Sequence, residues 1–448
     1  MKRVAVVGSG ISGLATAHEL ARHPSLAQVT LFEAGSHFGG HTHTVDITLP
    51  GRAGQVTHGV DTGFLVYNHR TYPNLVQLFE RLGVETATSE MSFSVQVRDA
   101  GKSGLEWSGN NLNTVFAQRR NLLRPRFLGM LRDILRFNKG CTAIATRNAE
   151  AELAQPIADF LDEQGFGEAF RNWYFLPMIG CIWSCPTDQM LRFPIGTMIR
   201  FCHNHGLIQV ADRPQWHTVR GGAKHYVDKM LAGIPDARLN TLVCGLRRLP
   251  AHEGHGVLLA TNGGSERFDD VVLACHSDQS LALLADASPT EREVLGAVRY
   301  HANHAVLHTD TAVLPKRKLA WAAWNYARAE DSGREQAAVC LHYLINLLQP
   351  LPWAQPVVLS LNPDPAHLPA EDKVLGRYDY SHPVFDAAAV AAQRRLPAMQ
   401  GTGGVWFCGA WTRYGFHEDG LMSSLDVTAR LRQSWASRDA RSAEAVIA

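Results

Sequence analysis

Several signatures of common enzyme classes are missing from this sequence of 448 residues. It contains no C-x-x-C pair, no zinc-ligand spacing, no phosphate-binding P-loop and no serine nucleophile elbow. Hydrolysis at a serine elbow, phosphoryl transfer and zinc-dependent chemistry therefore have no support in the residues.

Long hydrophobic runs and an excess of either charge are also missing. No apolar stretch approaches the roughly 18 residues that a membrane-spanning helix needs, so we expect none. With 43 Lys and Arg against 42 Asp and Glu, the formal net charge of +1 gives no sign of a nucleic-acid partner. The apolar start of the chain is interrupted at Gly8, and we interpret it as a strand rather than a signal peptide.

Cysteine is present but is not arranged for disulfides. The 8 cysteines are scattered, most of them in apolar runs such as VCGL, LACH and WFCG, where a reduced thiol fits better than a disulfide. We therefore expect a reducing, cytoplasmic compartment. The length exceeds that of one ordinary core, so two or more domains are expected.

The start of the chain has the pattern of a dinucleotide-binding unit. Val4–Val7 is typical of a buried parallel strand, and GSGISG then places Gly8, Gly10 and Gly13 in a G-x-G-x-x-G arrangement. These glycines permit a tight turn, close approach of the backbone to a pyrophosphate and packing of helix on strand. A second strand ends at Glu33, where a carboxylate can accept hydrogen bonds from ribose hydroxyls. NAD and FAD both fit this unit.

Three histidines follow in the stretch FEAGSHFGGHTHT. His37, His41 and His43 fall within 7 positions, and imidazole is a common metal ligand. A metal site is one interpretation, although it needs a further ligand and gives no role to Gly39-Gly40. The other interpretation places His37 and His41 beside a cofactor phosphate, to which a neutral imidazole can donate a hydrogen bond.

This stretch resembles the second motif of the flavin-containing amine oxidase superfamily, which includes amine oxidases, protoporphyrinogen oxidase and phytoene desaturases. The superfamily pattern is an acid, a basic residue, two glycines and another basic residue, here Glu33, His37, Gly39-Gly40 and His41. Members usually carry arginine at both basic positions, whereas this sequence has histidine twice. The resemblance implies FAD as the cofactor, and we expect non-covalent binding because no covalent-flavin motif is evident.

The resemblance continues downstream. VDTGFLVY is similar to the element beside the flavin ring, and VWFCGA with GLMSS is similar to the C-terminal FAD motif. Members usually have an acid shortly after the glycine of VWFCGA; here that carboxylate is either missing or supplied by Glu418 or Asp419. The predicted cofactor-binding residues are Gly8, Gly10, Ser12, Gly13, Glu33, Ala34, Gly40, His41, Thr42, Thr62, Gly63, Phe64, Val243, Ala274, Gly409, Gly420, Leu421 and Met422.

The spread of these motifs implies interleaved domains. We predict an α/β fold in which a Rossmann-like FAD-binding domain is interleaved with an α+β substrate domain built on an antiparallel sheet plus helices. The predicted FAD-binding domain comprises residues 1–75, 216–288 and 399–435, and the substrate domain comprises 76–215 (helical) and 289–398 (sheet), followed by a frayed tail at 436–448. The predicted pocket-lining residues are Trp321, Trp324, Tyr326, His342 and Tyr343.

The stretches GGHTHTV, DTGFLVYN, VLHTD and WNY resemble a bacterial subgroup associated with cyclopropane and methylated fatty-acid synthesis. This resemblance implies an FAD-dependent dehydrogenase or desaturase that transfers hydride from an apolar, lipid acyl substrate to flavin N5. A flavin amine oxidase for a small amine or polyamine stays open, but no lysine is placed clearly at the flavin, and Lys224 lies near the FAD domain. A non-redox FAD-dependent isomerase also stays open. The residues identify neither a catalytic base nor the electron acceptor.

Residues 119–139 contain seven Arg or Lys and one acid, Asp133. From Pro125 onward, apolar residues recur at helical spacing, and Arg126, Arg132 and Arg136 are predicted mostly on the other face. The predicted apolar face comprises Phe127, Leu128, Leu131, Ile134 and Leu135. Such a helix can rest peripherally on an anionic membrane, here the inner face. The alternative is a helix that faces the core with a solvated basic side.

Overall fold

The computed structural model describes residues 1–98, 104–149, 153–184, 186–209, 213–328 and 339–447. The strands are β1 (Lys2–Val7), β2 (Ala27–Phe32), β3 (Thr44–Gly51), β4 (Gly54–Asp61), β5 (Tyr67–Asn68), β6 (Thr86–Ser89), β7 (Phe93–Val97), β8 (Leu105–Ser108), β9 (Trp216–Val219), β10 (Asp236–Arg238), β11 (Val243–Arg248), β12 (Val257–Thr261), β13 (Gly264–Phe268), β14 (Asp270–Leu273), β15 (Arg299–His308), β16 (Trp324–Arg328), β17 (Cys340–Leu344), β18 (Val358–Leu361), β19 (Val374–Val384) and β20 (Val405–Phe407). The α-helices are α1 (Ile11–Ala21), α2 (Pro73–Leu82), α3 (Leu112–Val115), α4 (Pro125–Thr146), α5 (Ile157–Glu163), α6 (Glu168–Phe170), α7 (Leu176–Trp183), α8 (Thr187–Met190), α9 (Ile195–Asn204), α10 (Lys224–Leu231), α11 (Ser277–Leu283), α12 (Pro289–Gly296), α13 (Ile345–Leu348), α14 (Ala387–Arg395) and α15 (His417–Ile447).

A five-stranded sheet forms the base of the cofactor cleft. Its strand order is β10-β2-β1-β14-β20, and every neighbouring pair is parallel. Val7 pairs with Phe32 on one side and with Leu273 on the other, and Leu273 pairs with Phe407. Arg238 at the end of β10 also pairs with Phe32, so all five strands end level with one another, at the edge where open α/β sheets bind ligands. The strands come from three separate parts of the chain, and this interleaving confirms the predicted α/β architecture. The domain boundaries themselves stay predictions.

A seven-stranded sheet, in the order β19-β15-β18-β17-β16-β7-β8, forms the second half of the molecule. Its pairs are antiparallel except β16 with β7, which are parallel, so the predicted antiparallel sheet is mixed at this one pair. Strands β7 and β8 lie in the segment 76–215 that was predicted as helical. They form strands because the short alternating sequences FSVQV and LEWS each bury most of their residues. Three further strands, β5, β9 and β6, form a small antiparallel sheet, and β3 pairs with β4 as a hairpin.

Helix α4 buries only part of the predicted apolar face, in which Leu131 and Ile134 pack partly buried against the core. Phe127 is buried as expected, together with Met130, Phe137 and the acid Asp133. Leu128 and Leu135, predicted on the same apolar face as Phe127, are instead 42% and 61% exposed. The period of the apolar residues predicted the helix correctly. It did not show which of the apolar residues are buried, because the apolar stripe is wider than the face that contacts the core.

The C-terminal helix α15 continues through most of the predicted tail. It runs to Ile447, and Arg438 donates to both carboxylate oxygens of the buried Asp270, at 3.1 and 2.9 Å. Residues 436–447 are therefore helical rather than frayed. None of the helices in the described ranges is both long enough and apolar enough to cross a membrane.

Candidate active site

The turn between β1 and α1 has the geometry of a dinucleotide-binding loop. Gly8 adopts the left-handed φ of +98°, and its N–H donates to the Phe32 carbonyl oxygen at 2.9 Å. A Cβ on Gly13 would lie 1.8 Å from the Gly8 carbonyl oxygen, so glycine is what lets α1 pack so closely on the turn. A Cβ on Gly10 would meet nothing within 4 Å, and no side chain caps the helix there. The first N–H groups of α1 are thus available to a diphosphate.

Glu33, which follows β2, is held beside this turn. Its Oε2 atom accepts hydrogen bonds from the backbone N–H of Ser9 at 2.9 Å and from the Ser9 hydroxyl at 2.5 Å. Its Oε1 atom accepts from the Gly35 N–H at 2.7 Å. Because a carboxylate offers about four acceptor positions, capacity remains for a ribose hydroxyl. Ala34, the next residue, is exposed.

The Gly39-Gly40 turn lies against the start of α1. The Gly39 N–H donates to the carbonyl and hydroxyl oxygens of Ser9, both at 3.1 Å. A Cβ on Gly40 would come within 3.0 Å of the Gly10 Cα. The next residue, His41, has a buried Nε2 atom with no hydrogen-bond partner among the described residues. A buried ring nitrogen in this state suits a ligand-binding role.

The segment predicted to lie beside the flavin ring packs on the histidine stretch. The Phe64 N–H donates to the His41 carbonyl oxygen at 2.7 Å, and a Cβ on Gly63 would lie 2.1 Å from that oxygen. The N–H and hydroxyl of Thr62 donate to the His43 carbonyl oxygen at 2.9 and 3.0 Å. The two motifs therefore form one wall of the cleft.

The start of α15 packs against the start of α1. A Cβ on Gly420 would lie 2.8 Å from Ile11 Cγ2 and 2.9 Å from the Ser12 hydroxyl oxygen. After β20, Gly409 has φ +157° and donates its N–H to the Ser423 hydroxyl at 2.8 Å. Two helix N-termini thus converge, and each carries the partial positive charge that suits an anionic cofactor.

The two acids before Gly420 are engaged within the protein. Glu418 accepts from the backbone N–H and the side-chain amide of Asn74, at 2.9 and 2.6 Å, and from the Leu75 N–H at 3.0 Å. It therefore caps the N-terminus of α2. Asp419 accepts from the Phe416 N–H at 3.0 Å, and burial raises its pKa to about 7.

Two predicted cofactor residues come from the middle of the chain. Ala274 donates its N–H to the Val7 carbonyl oxygen at 2.8 Å, and a Cβ on Gly8 would lie 3.2 Å from the Ala274 carbonyl. Val243 begins β11, two residues after Thr241, whose N–H donates to the Glu33 carbonyl oxygen at 2.8 Å. Both residues therefore adjoin the cleft, although Val243 lies on the Glu33 side.

The five predicted substrate residues do not share one face. Trp324 pairs with Tyr343 across β16 and β17, whereas His342 pairs with Asn325 and points the other way. His342 is bonded through Nδ1 to the Ser360 hydroxyl at 2.7 Å. Tyr326 is buried, with its ring beside Gly180 of α7, and Trp321 donates its Nε1–H to the Pro315 carbonyl oxygen at 2.7 Å. The side chains of His342, Tyr326 and Trp321 are therefore held by contacts within the protein.

Sequence reasoning missed a polar triangle in the cleft. The Thr42 hydroxyl lies 2.5 Å from the Tyr226 hydroxyl and 2.9 Å from His417 Nε2, and the last two atoms are 2.8 Å apart. The His417 ring stacks on Phe64 at 3.8 Å. Desolvation, followed by the charge of His41, lowers the pKa of His417 to about 3, so the ring is neutral. The position of His417 directly before the C-terminal glycine motif was the signal that could have identified it.

The metal interpretation of the three histidines gains no support. His37 and His43 stack on each other at 4.1 Å, and His43 Nδ1 lies 3.1 Å from the Tyr380 hydroxyl. Across the described residues, no group of three histidine, cysteine or carboxylate side chains is arranged to hold a metal ion.

A cavity of about 490 Å³ opens beside the start of α15. This volume lies within the roughly 300–1,000 Å³ typical of small-molecule sites. Its lining includes Tyr72, Phe201, Tyr414, Phe416, Met422, Arg70, Arg413, His205 and Asp419. Met422 belongs to the predicted cofactor motif, so the cavity adjoins the cofactor cleft.

The residues around the cleft fit FAD. The uncapped N-terminus of α1 suits the diphosphate, Glu33 suits a ribose, and the segment from Thr62 to Phe64 stands opposite the start of α15 as a binding wall. The unpartnered Nε2 of His41 supplies a further polar contact. Non-covalent attachment stays a prediction, to be checked by release of flavin on acid precipitation.

Comparison with known proteins agrees with this geometry. Residues 11–335 match the family described as flavin containing amine oxidoreductase. No curated protein matches the sequence. Among solved structures, the chain is similar to a fatty acid isomerase from P. acnes that produces CLA (TM-score 0.65, 16% identity, 96% of this chain and 98% of that chain).

Two amine oxidases have the same architecture. Cyclohexylamine oxidase from Brevibacterium oxydans IH-35A gives a TM-score of 0.66 at 17% identity, covering 97% of this chain and 99% of that chain. Putrescine oxidase bound to putrescine gives 0.64 at 15% identity, covering 96% and 99%. At these identities the likenesses show a shared fold.

Proposed function

The chain belongs to the flavin containing amine oxidoreductase family and is an FAD-dependent oxidoreductase, and we propose that its substrate is an apolar molecule, a lipid acyl chain. Bound FAD supplies the hydride acceptor. The chain's own residues hold that cofactor, orient the substrate beside it and exclude water. Loss of a hydride from one acyl carbon to bound FAD and of a proton from the neighbouring carbon to solvent would leave a desaturated product.

The cavity beside Met422 is the observation that carries this proposal. Four aromatic residues, Tyr72, Phe201, Tyr414 and Phe416, contribute to its lining. Phe201 stacks on Phe416 at 4.8 Å between ring centroids, which gives a flat apolar wall. Such a wall favours a chain of CH₂ groups through burial of apolar surface.

Two arginines at the same cavity suit an acidic head group. Arg70 and Arg413 both line it and are both exposed, so they lie at its mouth, although Arg413 also pairs with Asp426 at 3.2 Å. Arg70 is oriented by hydrogen bonds from Nε and NH2 to the carbonyl oxygens of Asn204 and His203, each 2.7 Å long. Guanidinium groups recognise carboxylates and phosphates. An aromatic cavity with an arginine mouth therefore fits an acyl chain with an acidic end.

A small amine is the second candidate, because the matched family and two fold relatives are amine oxidoreductases. Lys224, which follows the Gly221-Gly222 turn near the FAD domain, forms an ion pair with Asp46 at 2.6 Å. It is thereby committed to the β3–β4 hairpin rather than to the cavity.

Anaerobic mixing of the holoenzyme with substrates tests the proposal. Free fatty acids and phospholipids should bleach the oxidised flavin absorbance, whereas putrescine should leave it unchanged. Arg70→Gln should raise the KM for a free fatty acid about tenfold, since a charge-assisted bond contributes roughly 1.5–3 kcal/mol. Arg81→Gln, on the exposed side of α2, is the matched control. Bleaching by amines alone would establish the amine oxidase alternative, and conversion of acyl chains without net bleaching would establish an isomerase.

A membrane surface is the proposed source of this substrate. On α4, residues Leu128, Arg132, Leu135 and Lys139 recur at spacings of four, three and four, which places them on one exposed face. Leu122 and Leu123, 49% and 87% exposed, stand just before this helix. These six residues are called the leucine–basic face.

The charge around the leucine–basic face complements an anionic bilayer. Arg119 and Arg120 are exposed beside it, and Arg132 has 80% of its side chain in solvent. The acid of this helix, Asp133, is buried, and one of its carboxylate oxygens lies 3.7 Å from the Arg132 guanidinium. Exposed leucines among arginines suit insertion at the lipid headgroup boundary, where apolar burial and attraction to anionic lipids add together.

A further inference from the structure

Four histidines from separate segments line the cleft. His41 follows Gly40, His276 lies just beyond β14, and His301 and His382 are cross-strand partners on β15 and β19. The ring centroids of His41 and His382 are 5.3 Å apart. All four residues are partly exposed, whereas the Nε2 atoms of His41 and His301 are buried.

This histidine cluster, defined by these four residues, adjoins the glycine turn on two sides. His41 comes directly after the Gly39-Gly40 turn that touches the start of α1. On the other side, His276 is two residues beyond Ala274, whose carbonyl packs on Gly8. The cluster therefore borders the helix N-terminus that suits the FAD diphosphate.

Ring nitrogens of the cluster are available to a ligand. The Nε2 atoms of His41 and His301 are buried and have no hydrogen-bond partner within the described ranges. The Nδ1 of His382 lies 2.8 Å from the side-chain amide nitrogen of Asn303, so Nδ1 accepts and Nε2 carries the ring proton. Buried polar atoms without partners are costly, and an anion near them would remove that cost.

The lowered pKa values of these four histidines make the cluster a set of neutral bases. Burial, together with the charge of neighbouring histidines, lowers the pKa of His41 to about 4 and that of His382 to about 3. Burial also lowers the pKa of His276 and His301. The other titratable groups facing the cluster are Asp278 on α11, Cys275 after β14, Tyr300 on β15, Tyr380 on β19, His417 on α15 and Glu33 after β2.

We propose that the histidine cluster binds the FAD diphosphate by taking up a proton, which is held on His41. The proton comes from solvent and leaves again when FAD dissociates, so no bond other than N–H forms or breaks. Protonated His41 donates to a phosphate oxygen, while neutral His276 and His382 donate through their ring N–H groups. The proposal rests on FAD as the cofactor and is independent of which substrate the enzyme oxidises.

Proton uptake makes FAD affinity depend on pH with a definite sign. The diphosphate raises the pKa of His41 above its value of about 4 in the free cleft. Between these two pKa values binding takes up a proton, so affinity rises as pH falls and is lost as pH rises through the higher pKa. One proton gives a change of up to about tenfold in the dissociation constant per pH unit within that window.

Dilution of the full-length holoenzyme tests this proposal. The dissociation constant is measured from the fluorescence of released FAD between pH 6 and 9, in the presence of constant salt. We expect it to rise with pH by up to about tenfold per unit. His41→Arg, with a permanent charge, should bind FAD with little dependence on pH, and His41→Gln should bind weakly throughout. His252→Gln, at a histidine with 80% of its side chain exposed, is the control and should match the wild type.

Nuclear magnetic resonance of ¹⁵N-histidine holoenzyme provides a second readout that needs no variant to fold. The holoenzyme should hold one imidazolium ring more than the flavin-free protein at pH 7, and that ring should titrate together with the rise in the dissociation constant. A dissociation constant that is flat from pH 6 to 9, or a holoenzyme with no more imidazolium than the flavin-free protein at pH 7, would overturn the proposal. Equal flavin retention by His41→Gln and wild type would also overturn it.

Discussion

Glu33 accepts two hydrogen bonds from Ser9, one from its backbone N–H at 2.9 Å and one from its hydroxyl at 2.5 Å. This pair ties the end of β2 to the glycine turn after β1, and so fixes a carboxylate beside the start of α1. The position is one that ribose hydroxyls can reach in a dinucleotide site.

Replacement of Glu33 by Ala should therefore weaken FAD binding at least about tenfold. The one charge-assisted hydrogen bond that Glu33 can still accept from a ribose hydroxyl, at roughly 1.5–3 kcal/mol, sets the scale of the loss. Equilibrium dialysis of the holoenzyme measures it. Ser9→Ala is the matched control and should have a smaller effect, because Glu33 keeps its bonds to the N–H groups of Ser9 and Gly35. Full retention of flavin by Glu33→Ala would place the ribose elsewhere.

The two glycines at the start of α1 should respond differently to the same methyl group. In Gly13→Ala the Cβ would lie 1.8 Å from a carbonyl oxygen, so the folded state itself should be destabilised. In Gly10→Ala the Cβ meets nothing within 4 Å and φ is −60°, so the protein should fold normally. The added methyl group would then occupy space needed by the diphosphate.

We expect Gly10→Ala to keep the wild-type thermal transition of the flavin-free protein while losing flavin on gel filtration. Gly13→Ala should lower that transition or fail to accumulate as soluble protein. Retention of FAD by Gly10→Ala at the wild-type level would show that the diphosphate does not approach this residue.

Asp419 should make stability depend on pH in the acid range. Burial raises its pKa from 3.8 to about 7, so the folded state binds a proton that the unfolded state has released. The stability that comes with this proton is present in full below pH 3.8 and is lost as pH rises through about 7. The slope is at most about 1.4 kcal/mol per pH unit.

Chemical unfolding of wild type and Asp419→Asn from pH 4 to 9 measures this effect. The difference in unfolding free energy between them should change up to about pH 7 and be constant above it. Asp426→Asn, at an exposed acid of the same helix, should show no such change. A constant difference across the whole range would mean that Asp419 is ionised in the folded protein at pH 4.

Local backbone requirements explain why the cofactor elements could be predicted from the sequence. Gly8, Gly13 and Glu33 act within one strand–turn–helix–strand unit, and their spacing fixes their relative positions once the strands are parallel. The C-terminal glycine motif was equally visible, because a strand followed by a helix start is a short-range pattern.

Register and burial explain why other features could not be predicted. Trp324 and His342 point to opposite faces of the sheet because of the register in which β16 pairs with β17. No periodicity within either strand specifies that register. His276 and His382 lie beside the cleft only because strand pairing in the two sheets places β14 and β19 there. On α4, the apolar period placed Phe127 and Leu128 together, but the structure buries the first and exposes the second.

That exposure leads to a prediction about membrane binding. The leucine–basic face should bind anionic vesicles, because Leu123 and Leu135 are 87% and 61% exposed beside Arg132 and Lys139. Arg126 and Arg136 are weaker targets than the sequence suggested, since Arg126 pairs with Glu168 at 2.8 Å and Arg136 donates to the Gln164 carbonyl oxygen at 2.9 Å. The variants that isolate the face are therefore Leu123→Ser/Leu135→Ser and Arg132→Glu/Lys139→Glu.

Sedimentation of the holoenzyme with phosphatidylglycerol vesicles measures binding, with phosphatidylcholine vesicles as the neutral comparison. Wild type should pellet with the anionic vesicles at low salt and less at high salt, because electrostatic attraction is screened. The basic-residue variant should lose this binding, whereas Arg292→Glu/Arg394→Glu, with the same change in net charge at exposed sites elsewhere, should keep it. The serine variant should bind more weakly at every salt concentration, since it removes apolar burial rather than charge. Equal sedimentation of wild type and both variants would show that the leucine–basic face does not contact lipid, and the acyl substrate would then have to reach the cavity from solution.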